Sequence, residues 1–155
     1  MLNMSIEASG ANPTPAQQRF IDDFAQLLVP WGMPLTCARL YAWLLLAPGP
    51  VTLDEFADGL GISKSNASMA ARDLEVIGMA RRLNERGSKR IRYKATTSPG
   101  NALRRNSDTL GHLAGLIRDR LDDVAQGENR ARLAELAEFH LALKSAMDGV
   151  IARYG

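Results

Sequence analysis

The chain has 155 residues, which is enough for one compact domain or for a small domain with additional oligomerisation helices. Its 46% hydrophobic and 23% charged residues exclude an intrinsically disordered composition. The single cysteine, Cys37, excludes an internal disulfide framework and is typical of a reducing compartment. The chain begins with no signal-peptide pattern, and its longest apolar run, residues 40–47, is too short to span a bilayer. We therefore expect a cytoplasmic protein without membrane contact.

The positive charge is concentrated in one part of the chain. Residues 63–95 carry nine Lys or Arg against three Asp or Glu, although the net charge of the whole chain is only +2. Residues 1–62 carry two against six, and residues 96–155 carry eight against eight. This local excess indicates a surface that binds a polyanion.

The N-terminal third predicts a flexible tail and two helices. After the polar tail, residues 1–13, a helix begins with a capping box of Thr14 and Gln17 and with Pro15 in its first turn. Its apolar residues have helical spacing: Phe20, Phe24, Leu27 and Leu28. Residues 14–34 comprise this helix and a linker. A second helix follows over residues 35–46 and ends before a Pro-Gly-Pro turn.

The next elements have the order of a helix-turn-helix. Val51 predicts a minimal strand, and Thr52 with Glu55 forms a capping box for a short helix. The buried residues of this short helix are predicted to be Leu53, Phe56, Ala57 and Leu60. Gly61 makes the turn, and Ser63 caps a helix over residues 64–77 that ends at Gly78. Two short helices with a glycine turn between them are typical of DNA-binding proteins.

A basic β-hairpin follows the second of these helices. Its strands are predicted at about residues 80–85 and 89–95, joined at Arg86-Gly87-Ser88, where Gly87 supplies a positive φ. Strand alternation places Ile91, Tyr93 and Ala95 on a buried face and Arg90, Arg92 and Lys94 on a cationic face. Residues 35–97 are therefore predicted to form a winged helix-turn-helix that binds DNA.

Two terminal helices are predicted within residues 98–155, on either side of Gly127. The first carries an apolar stripe of Leu103, Leu110, Leu113, Ile117, Leu121 and Val124. The second carries a heptad-like seam of Leu133, Leu136, His140, Leu143, Met147, Val150 and Tyr154. Such stripes are wide for a small winged domain, which predicts an isologous homodimer, with packing inside one monomer as the alternative. The expected fold class is mainly α with a small β-hairpin wing (α+β), flanked by N- and C-terminal dimerisation helices.

The helix at residues 64–77 carries the candidate base-reading residues. Ala67, Ala71 and Leu74 are predicted to face inward. The remaining face presents Lys64, Ser65, Asn66, Ser68, Met69 and Arg72. Asparagine can pair with adenine and methionine can contact a thymine methyl, while Ser63 and the free amides of the first turn suit a phosphate. The alternative interpretation is an amphipathic helix with solvated polar residues.

The hairpin supplies the candidate wing contacts. Arg86, Lys89 and Arg90 surround the glycine turn, where an arginine can enter a minor groove. The neighbouring cations are candidates for phosphate contacts: Arg81, Arg82, Arg92 and Lys94. The alternative is that a charged hairpin only protects the sheet edge from aggregation.

The chain resembles the MarR family of bacterial winged-helix regulators over residues 30–95, through the sequence LYAWLLLAPGPVTLDEFADGLGISKSNASMAARDLEVIGMARRL. It is most similar to the GbsR-like branch, in the LYAWLLL helix, the SKSNAS start of the second helix and a Gly-Ser-Lys-Arg wing followed by a tyrosine. The resemblance implies a homodimer that binds a pseudo-palindromic operator in double-stranded DNA, usually as a repressor. It also implies a ligand site between the dimerisation helices and the DNA-binding lobe.

By position, the resemblance assigns base or phosphate contacts to Ser63, Lys64, Ser65, Asn66, Ser68 and Arg72. It makes Arg90 the wing arginine. Ser88 departs from the pattern, because relatives often carry an acidic residue there that can orient this arginine.

Three further groups of residues each allow a functional and a structural interpretation. Cys37 is either a redox switch or a buried core residue. His112 and His140 are too isolated from other ligands to predict a metal site. His140 is either a hydrogen-bonded residue of the dimer interface or a residue whose protonation makes dimer packing sensitive to pH. Trp31, Tyr41 and Trp43 either line a ligand pocket or belong to the core. We expect no metal and no cofactor, and the sequence does not identify a small-molecule effector.

No catalytic triad, Cys/His pair, metal site or phosphate-binding glycine loop is apparent, so the chain is not expected to be an enzyme. The sequence predicts a dimeric, sequence-specific DNA-binding transcription regulator, and a repressor. The alternative is a winged-helix module for protein–protein interaction. Such a module should present an acidic or apolar surface on the helix at residues 64–77, and that surface is neither.

Overall fold

The structure, a computed structural model, describes residues 12–96 and 100–154, which form two compact units. Most of the predicted tail, residues 1–11, lies outside the described residues. The first unit contains four helices, a 3-10 turn and three strands. Its elements are α1 (Pro15–Leu28), the 3-10 turn (Val29–Trp31), α2 (Leu35–Leu46), β1 (Val51–Thr52), α3 (Leu53–Leu60), α4 (Lys64–Val76), β2 (Ala80–Asn84) and β3 (Ile91–Ala95).

Local sequence signals set the ends of these helices as predicted. The Thr14 hydroxyl accepts the Gln17 amide at 3.1 Å, and the Gln17 side chain accepts the Thr14 amide at 2.9 Å. Thr52 and Glu55 make the same reciprocal pair at the start of α3. Gly61 has a φ of +64°, in the left-handed region that glycine adopts without a steric penalty.

The three strands form an antiparallel sheet in the order β1-β3-β2. Tyr93 in the central strand lies opposite Val51 on one side and Arg82 on the other. Its side chain is buried in the core of the unit, together with Ile21, Leu40, Trp43, Phe56 and Leu74. Trp43 depends on the absence of a side chain at Gly59, where a Cβ would lie 1.7 Å from the indole ring.

The buried face of α1 is offset from the apolar stripe in the sequence. Ile21 and Ala25 are fully buried, whereas Phe20 is 46% exposed and Leu27 is 73% exposed. Only part of the stripe therefore packs on α2. The rest of it is an apolar surface.

The second unit is a hairpin of two long helices, α5 (Gly100–Val124) and α6 (Gly127–Tyr154). Gly127, with a φ of +62°, lies at the turn between them. The helices approach closely because their facing residues are small: Ser107, Ala114 and Ala137 are buried, and Gly111 contacts the stem of Lys144. A Cβ at Gly111 would lie 3.1 Å from the Lys144 Cε.

The predicted seam of α6 is divided between two sides of the helix. Leu133, His140 and Met147 are partly buried, whereas Leu136 (43%), Leu143 (40%) and Val150 (46%) are exposed. Phe139 is 61% exposed beside them. A 3.5-residue repeat drifts around a helix of 3.6 residues per turn, so one seam can lie at the border of a packed face.

Candidate nucleic-acid interface

Helix α4 is held by a cap and by an alanine-rich inner face. The Ser63 hydroxyl accepts the Asn66 amide at 3.1 Å, which satisfies one of the free amides of the first turn. The inner face is buried and consists of Ala67, Ala70, Ala71 and Leu74. Because three of the four residues are alanines, the helix lies close to its neighbours α2 and α3.

The predicted base-reading residues lie on the opposite side of α4. Helical spacing places Ser65, Ser68, Met69 and Arg72 on this face and Lys64 and Asn66 at its two edges. All are exposed except Ser68, which is half-buried. Met69 is 63% exposed, so its apolar side chain is available for contact on this face. The structure therefore brings the predicted residues together on one open helical surface.

An ion pair between two helices also reaches this surface. Lys64 Nζ lies 2.8 Å from Asp54 Oδ1 in the first turn of α3. The hydrogen bond and charge of Asp54 raise the pKa of Lys64 above its ordinary value, although both side chains are exposed. This pair was not predictable from the sequence, since no helical or strand spacing relates residues on different helices.

The wing loop is longer than the sequence predicted. The strands end at Asn84 and resume at Ile91, so Lys89 and Arg90 belong to a loop and not to a strand. Local hydrogen bonds replace the strand ladder: the Ser88 amide donates to the Glu85 carbonyl at 3.2 Å, and the Ser88 hydroxyl accepts the Arg90 amide at 3.1 Å. Ser88 thus orders the backbone of the loop at Arg90.

Most of the wing cations are exposed, and Arg92 differs from them. The exposed residues are Arg81, Arg82, Arg86, Lys89, Arg90 and Lys94. The Arg92 side chain is only 31% exposed, and its Nε lies 3.0 Å from Glu85 Oε1. That nitrogen is buried and makes no hydrogen bond of acceptable geometry, so the contact is an ion pair alone. The predicted cationic face therefore contains one arginine that pairs within the hairpin.

Cys37 lies in the core beneath α4. It is 3% exposed, and its Sγ lies 3.9 Å from the Ala70 carbonyl and 3.8 Å from Asp73 Oδ2. Burial first, and then the Asp73 charge, raise the pKa of the thiol to about 11. A thiol that resists ionisation is a poor nucleophile, which favours the structural interpretation of Cys37 over the redox switch.

The two histidines lie on α5 and α6, whereas Trp31, Tyr41 and Trp43 lie in the first unit. Among the described residues, no group of three His, Cys, Asp or Glu is placed to hold a metal ion. His112 is exposed, and the buried Nδ1 of His140 has no hydrogen-bond partner within the described residues of the single chain. The hydrogen-bonded interface histidine stays a prediction. Trp43 packs edge-on against Phe56 in the core, whereas Trp31 is 89% exposed.

No helix in residues 12–96 or 100–154 is both long and apolar enough to cross a membrane. Comparison with known proteins gives no matching family model. Over 79 residues the chain is 28% identical to the HTH-type transcriptional regulator YvaV of Bacillus subtilis, covering 51% of this chain and 45% of that protein. It is 27% identical over 78 residues to the HTH-type transcriptional repressor OpcR of Bacillus subtilis, covering 50% and 42%. The matches thus span less than half the length of these curated relatives.

The fold is also found in a crystal structure of a transcriptional regulator. That structure superposes with a TM-score of 0.74 at 20% identity, over 90% of this chain and 98% of the other. The chain also has the α3–α4 helix pair and the β2–β3 hairpin. Together with the superposition, these elements confirm the predicted fold class: a mainly helical winged helix-turn-helix with a small β-sheet.

Proposed function

We propose that the chain is a dimeric, sequence-specific DNA-binding transcription regulator of the GbsR-like branch of the MarR family, and a cytoplasmic repressor. In this proposal α4 enters the major groove, and the wing loop contacts the minor groove or the backbone beside it. The observation that best supports this proposal is the exposed polar face of α4. Buried alanines hold the opposite side of this helix in the core, and the wing that follows it in the chain is cationic.

The side chains on α4 have the chemistry that base reading requires. Short polar groups such as Ser65 and Asn66 let the helix approach the base edges, and Arg72 can reach a guanine with two hydrogen bonds. One such bidentate contact discriminates between bases by about 1–3 kcal/mol. Ser63 and the first-turn amides are exposed near the helix start, where a phosphate is favoured by the helix dipole.

The wing adds positive charge that can bind DNA phosphates whatever the base sequence. Six exposed cations lie on one hairpin, and Arg90 is on its loop. Cations of this kind give a binding constant that falls steeply with salt concentration. An arginine on such a loop also suits the negative potential of a narrow minor groove.

The names of the two curated relatives support the proposal that the chain is a transcription regulator. The name of OpcR also supports the proposal that it is a repressor. Both names also support the proposal that the chain is not an enzyme. The matched segments cover 45% of YvaV and 42% of OpcR, so the roles of regulator and repressor are proposed for this chain.

The second unit supports the homodimer. Large apolar side chains are exposed on both helices of the hairpin: Leu113, Leu116 and Val124 on α5, and Leu136, Phe139, Leu143 and Val150 on α6. A second copy covers such a surface with a two-fold interface, which also matches a pseudo-palindromic operator. We accordingly assign DNA binding to residues 35–97 and dimerisation to residues 14–34 and 98–155.

The test is selection of bound genomic fragments by the purified protein, followed by titration of the selected duplex. We expect tight, salt-sensitive binding, weakened at least tenfold by Arg72→Ala and by Arg90→Ala. Arg19→Ala is the matched control, because it removes an exposed arginine from α1. Equal affinity for a scrambled duplex would contradict sequence-specific binding. The absence of duplex binding would favour the alternative, a winged-helix interaction module.

A further inference from the structure

The outermost residues of α4 lie in one row along the helix. The buried residues define the inner side of α4, and each successive residue is turned by about 100° around the helix axis. The positions most nearly opposite the inner side form what we call the outer row: Ser65, Met69, Arg72 and Val76. All four residues are exposed, and the exposed fraction is 63% for both Met69 and Val76. The outer row therefore combines polar and apolar side chains.

Met69 is the apolar residue of the outer row that lies among the candidate base-reading residues. Ser65 and Ser68, which precede it on the same face, have short side chains, so the longer side chain of Met69 extends further from the helix axis. The other methionines whose burial the structure describes are partly buried: Met33, Met79 and Met147. Exposed apolar surface is unfavourable in water, so a contact that buries the flexible Met69 side chain against an apolar group stabilises the bound state.

The major groove presents few apolar groups to such a side chain. The base edges consist of hydrogen-bond donors and acceptors, except that thymine carries a methyl group on C5. Cytosine carries a methyl group at the same place once it is methylated on C5. The apolar partner that suits Met69 in a major groove is therefore the C5-methyl group of a pyrimidine.

Arg72 restricts where this methyl group lies in the duplex. Met69 and Arg72 are three residues apart on one helix, so they are surface neighbours with about 5–6 Å between their Cβ atoms. Successive base pairs are about 3.4 Å apart along the duplex axis. When Arg72 binds the O6 and N7 atoms of a guanine, Met69 therefore lies within about two base pairs of that guanine.

We propose that Met69 contacts the C5-methyl group of a pyrimidine within about two base pairs of the guanine bound by Arg72, so that DNA affinity depends on this methyl group. Thymine supplies the methyl group in unmodified DNA, and 5-methylcytosine supplies it in methylated DNA. The inference rests on the proposed function, because it names a chemical group that α4 recognises in its duplex. It adds a dependence on pyrimidine methylation to the polar contacts of α4.

Two pairs of bases isolate the methyl group. Each thymine of the selected duplex is replaced in turn by uracil, which removes only the methyl group. At the position with the largest effect, a 5-methylcytosine–guanine pair is then compared with a cytosine–guanine pair. In both comparisons we expect the methyl group to raise affinity about three- to fivefold, the usual contribution of one buried methyl group.

Replacement of single guanines by 7-deazaguanine, which lacks the N7 acceptor, locates the guanine bound by Arg72. The replacement at that guanine should weaken binding of the parent protein and have no further effect on Arg72→Ala. We expect the thymine that responds to uracil to lie within about two base pairs of this guanine.

Matched variants assign the methyl preference to one residue. Met69→Gln has a side chain of similar length with a polar end, so it should remove the preference, whereas the apolar Met69→Leu should retain most of it. Val76→Ala shortens the other apolar residue of the outer row and should leave the preference unchanged. These positions are exposed and the new residues are good helix formers, so all three variants should fold.

The inference is overturned if uracil weakens binding nowhere within two base pairs of the guanine, or if 5-methylcytosine binds no better than cytosine. It is also overturned if Met69→Gln keeps the methyl preference or if Val76→Ala loses it. Specific binding of the selected duplex without any methyl effect would contradict this inference and leave the proposed function intact. Equal affinity for the selected and scrambled duplexes would contradict the proposed function, and the inference with it.

Discussion

The two units of the molecule bury different kinds of residues. The core of the first unit contains large side chains, including Phe56, Leu74 and Trp43, around a three-stranded sheet. The buried positions of the second unit are small, Ser107, Ala114 and Ala137 among them, while large residues such as Phe139 are exposed. Buried apolar area is the main favourable term in folding. The first unit therefore has a large apolar core, whereas the helical hairpin of the second unit leaves much of its apolar surface exposed.

Helices α4 and α6 differ in the kind of side chain that they expose to solvent. Helix α4 has alanines and Leu74 inside and polar groups outside, which suits contact with a charged, hydrated ligand. Helix α6 has apolar residues on both sides, with Met147 partly buried and Leu143 exposed. An exposed apolar stripe of this length is typical of an interaction surface.

The largest expected effect is on the core of the first unit. Phe56 is 1% exposed, so Phe56→Ala should lower the free energy of unfolding by about 3–5 kcal/mol, through lost burial and the cavity left behind. This loss is measured by urea unfolding, which is monitored through the fluorescence of Trp43 in proteins that also carry Trp31→Phe. Val76→Ala, at a position 63% exposed, is the control and should change stability by less than about 0.5 kcal/mol. A similar loss in both variants would contradict the self-contained core.

The second prediction concerns the apolar side of the hairpin. Leu143→Glu places a charge in the middle of the exposed stripe on α6, so it should dissociate a dimer that this stripe forms. Light scattering after size exclusion measures the mass of the particle. Ser145→Glu, on an exposed polar position of the same helix, is the control and should leave the mass unchanged. A variant that keeps the dimeric mass would exclude this stripe from the interface.

The sequence predicted the elements with strong local signals and missed contacts between elements. Capping boxes at Thr14 and Thr52 and the glycine at Gly61 determine where helices begin and end, so these positions were predictable. The wing loop was predicted too short, because the bonds made by Ser88 compete with the strand ladder. The pairing of Lys64 with Asp54 depends on tertiary packing, which no local pattern encodes.

The single seam predicted for α6 shows a related limit. Periodicity identifies which residues are apolar and share one side of a helix, but it does not show where the neighbouring helix lies. The small residues of α5 determine that position, because α6 can approach closely only along Ser107, Gly111 and Ala114. Leu143 and Val150 are left exposed for that reason.

A third prediction uses Cys37 as a reporter of the first unit. Its pKa is raised from 9.0 to about 11, so at neutral pH the folded protein should contain roughly 100-fold less thiolate than the unfolded chain. Reaction with a disulfide reagent should be slowed at least by this factor in buffer and recover in urea. The sign also determines a pH effect: the contribution of Cys37 to stability should be constant below about pH 9 and decrease towards pH 11, because the unfolded chain loses the thiol proton first. Cys37→Ala should remove the part of the alkaline decline that the thiol causes.

A fourth prediction concerns the polar contacts inside the hairpin. The Ser107 hydroxyl donates to Asp148 Oδ1, and Lys144 Nζ lies 3.1 Å from Ser107 Oγ and 3.0 Å from Asp148 Oδ2. Ser107→Ala should therefore destabilise the hairpin by about 1–3 kcal/mol. Ser107 first, and then Lys144, hold the pKa of Asp148 below its ordinary value, so the variant should raise it.

Carboxyl NMR titration of Asp148 separates this from a simple packing defect. A group with a depressed folded pKa stabilises the fold above its unfolded pKa and loses that contribution as the pH falls. The parent protein should accordingly lose more stability on acidification than Ser107→Ala. An unchanged Asp148 pKa in the variant would contradict the role given to the hydroxyl.

The smallest expected effect returns to the surface of α4. Asp54 neutralises Lys64 in the free protein, so DNA must compete with a carboxylate for this cation. Asp54→Asn should raise affinity about two- to threefold for the selected and scrambled duplexes alike, because an exposed ion pair contributes little net free energy. The salt dependence should steepen by about one counterion. Asp23→Asn, which makes the same charge change on α1, is the control and should leave the slope unchanged. A loss of affinity in Asp54→Asn would show instead that Asp54 positions Lys64 for its phosphate, because a freed but disordered cation binds less well than one held in place.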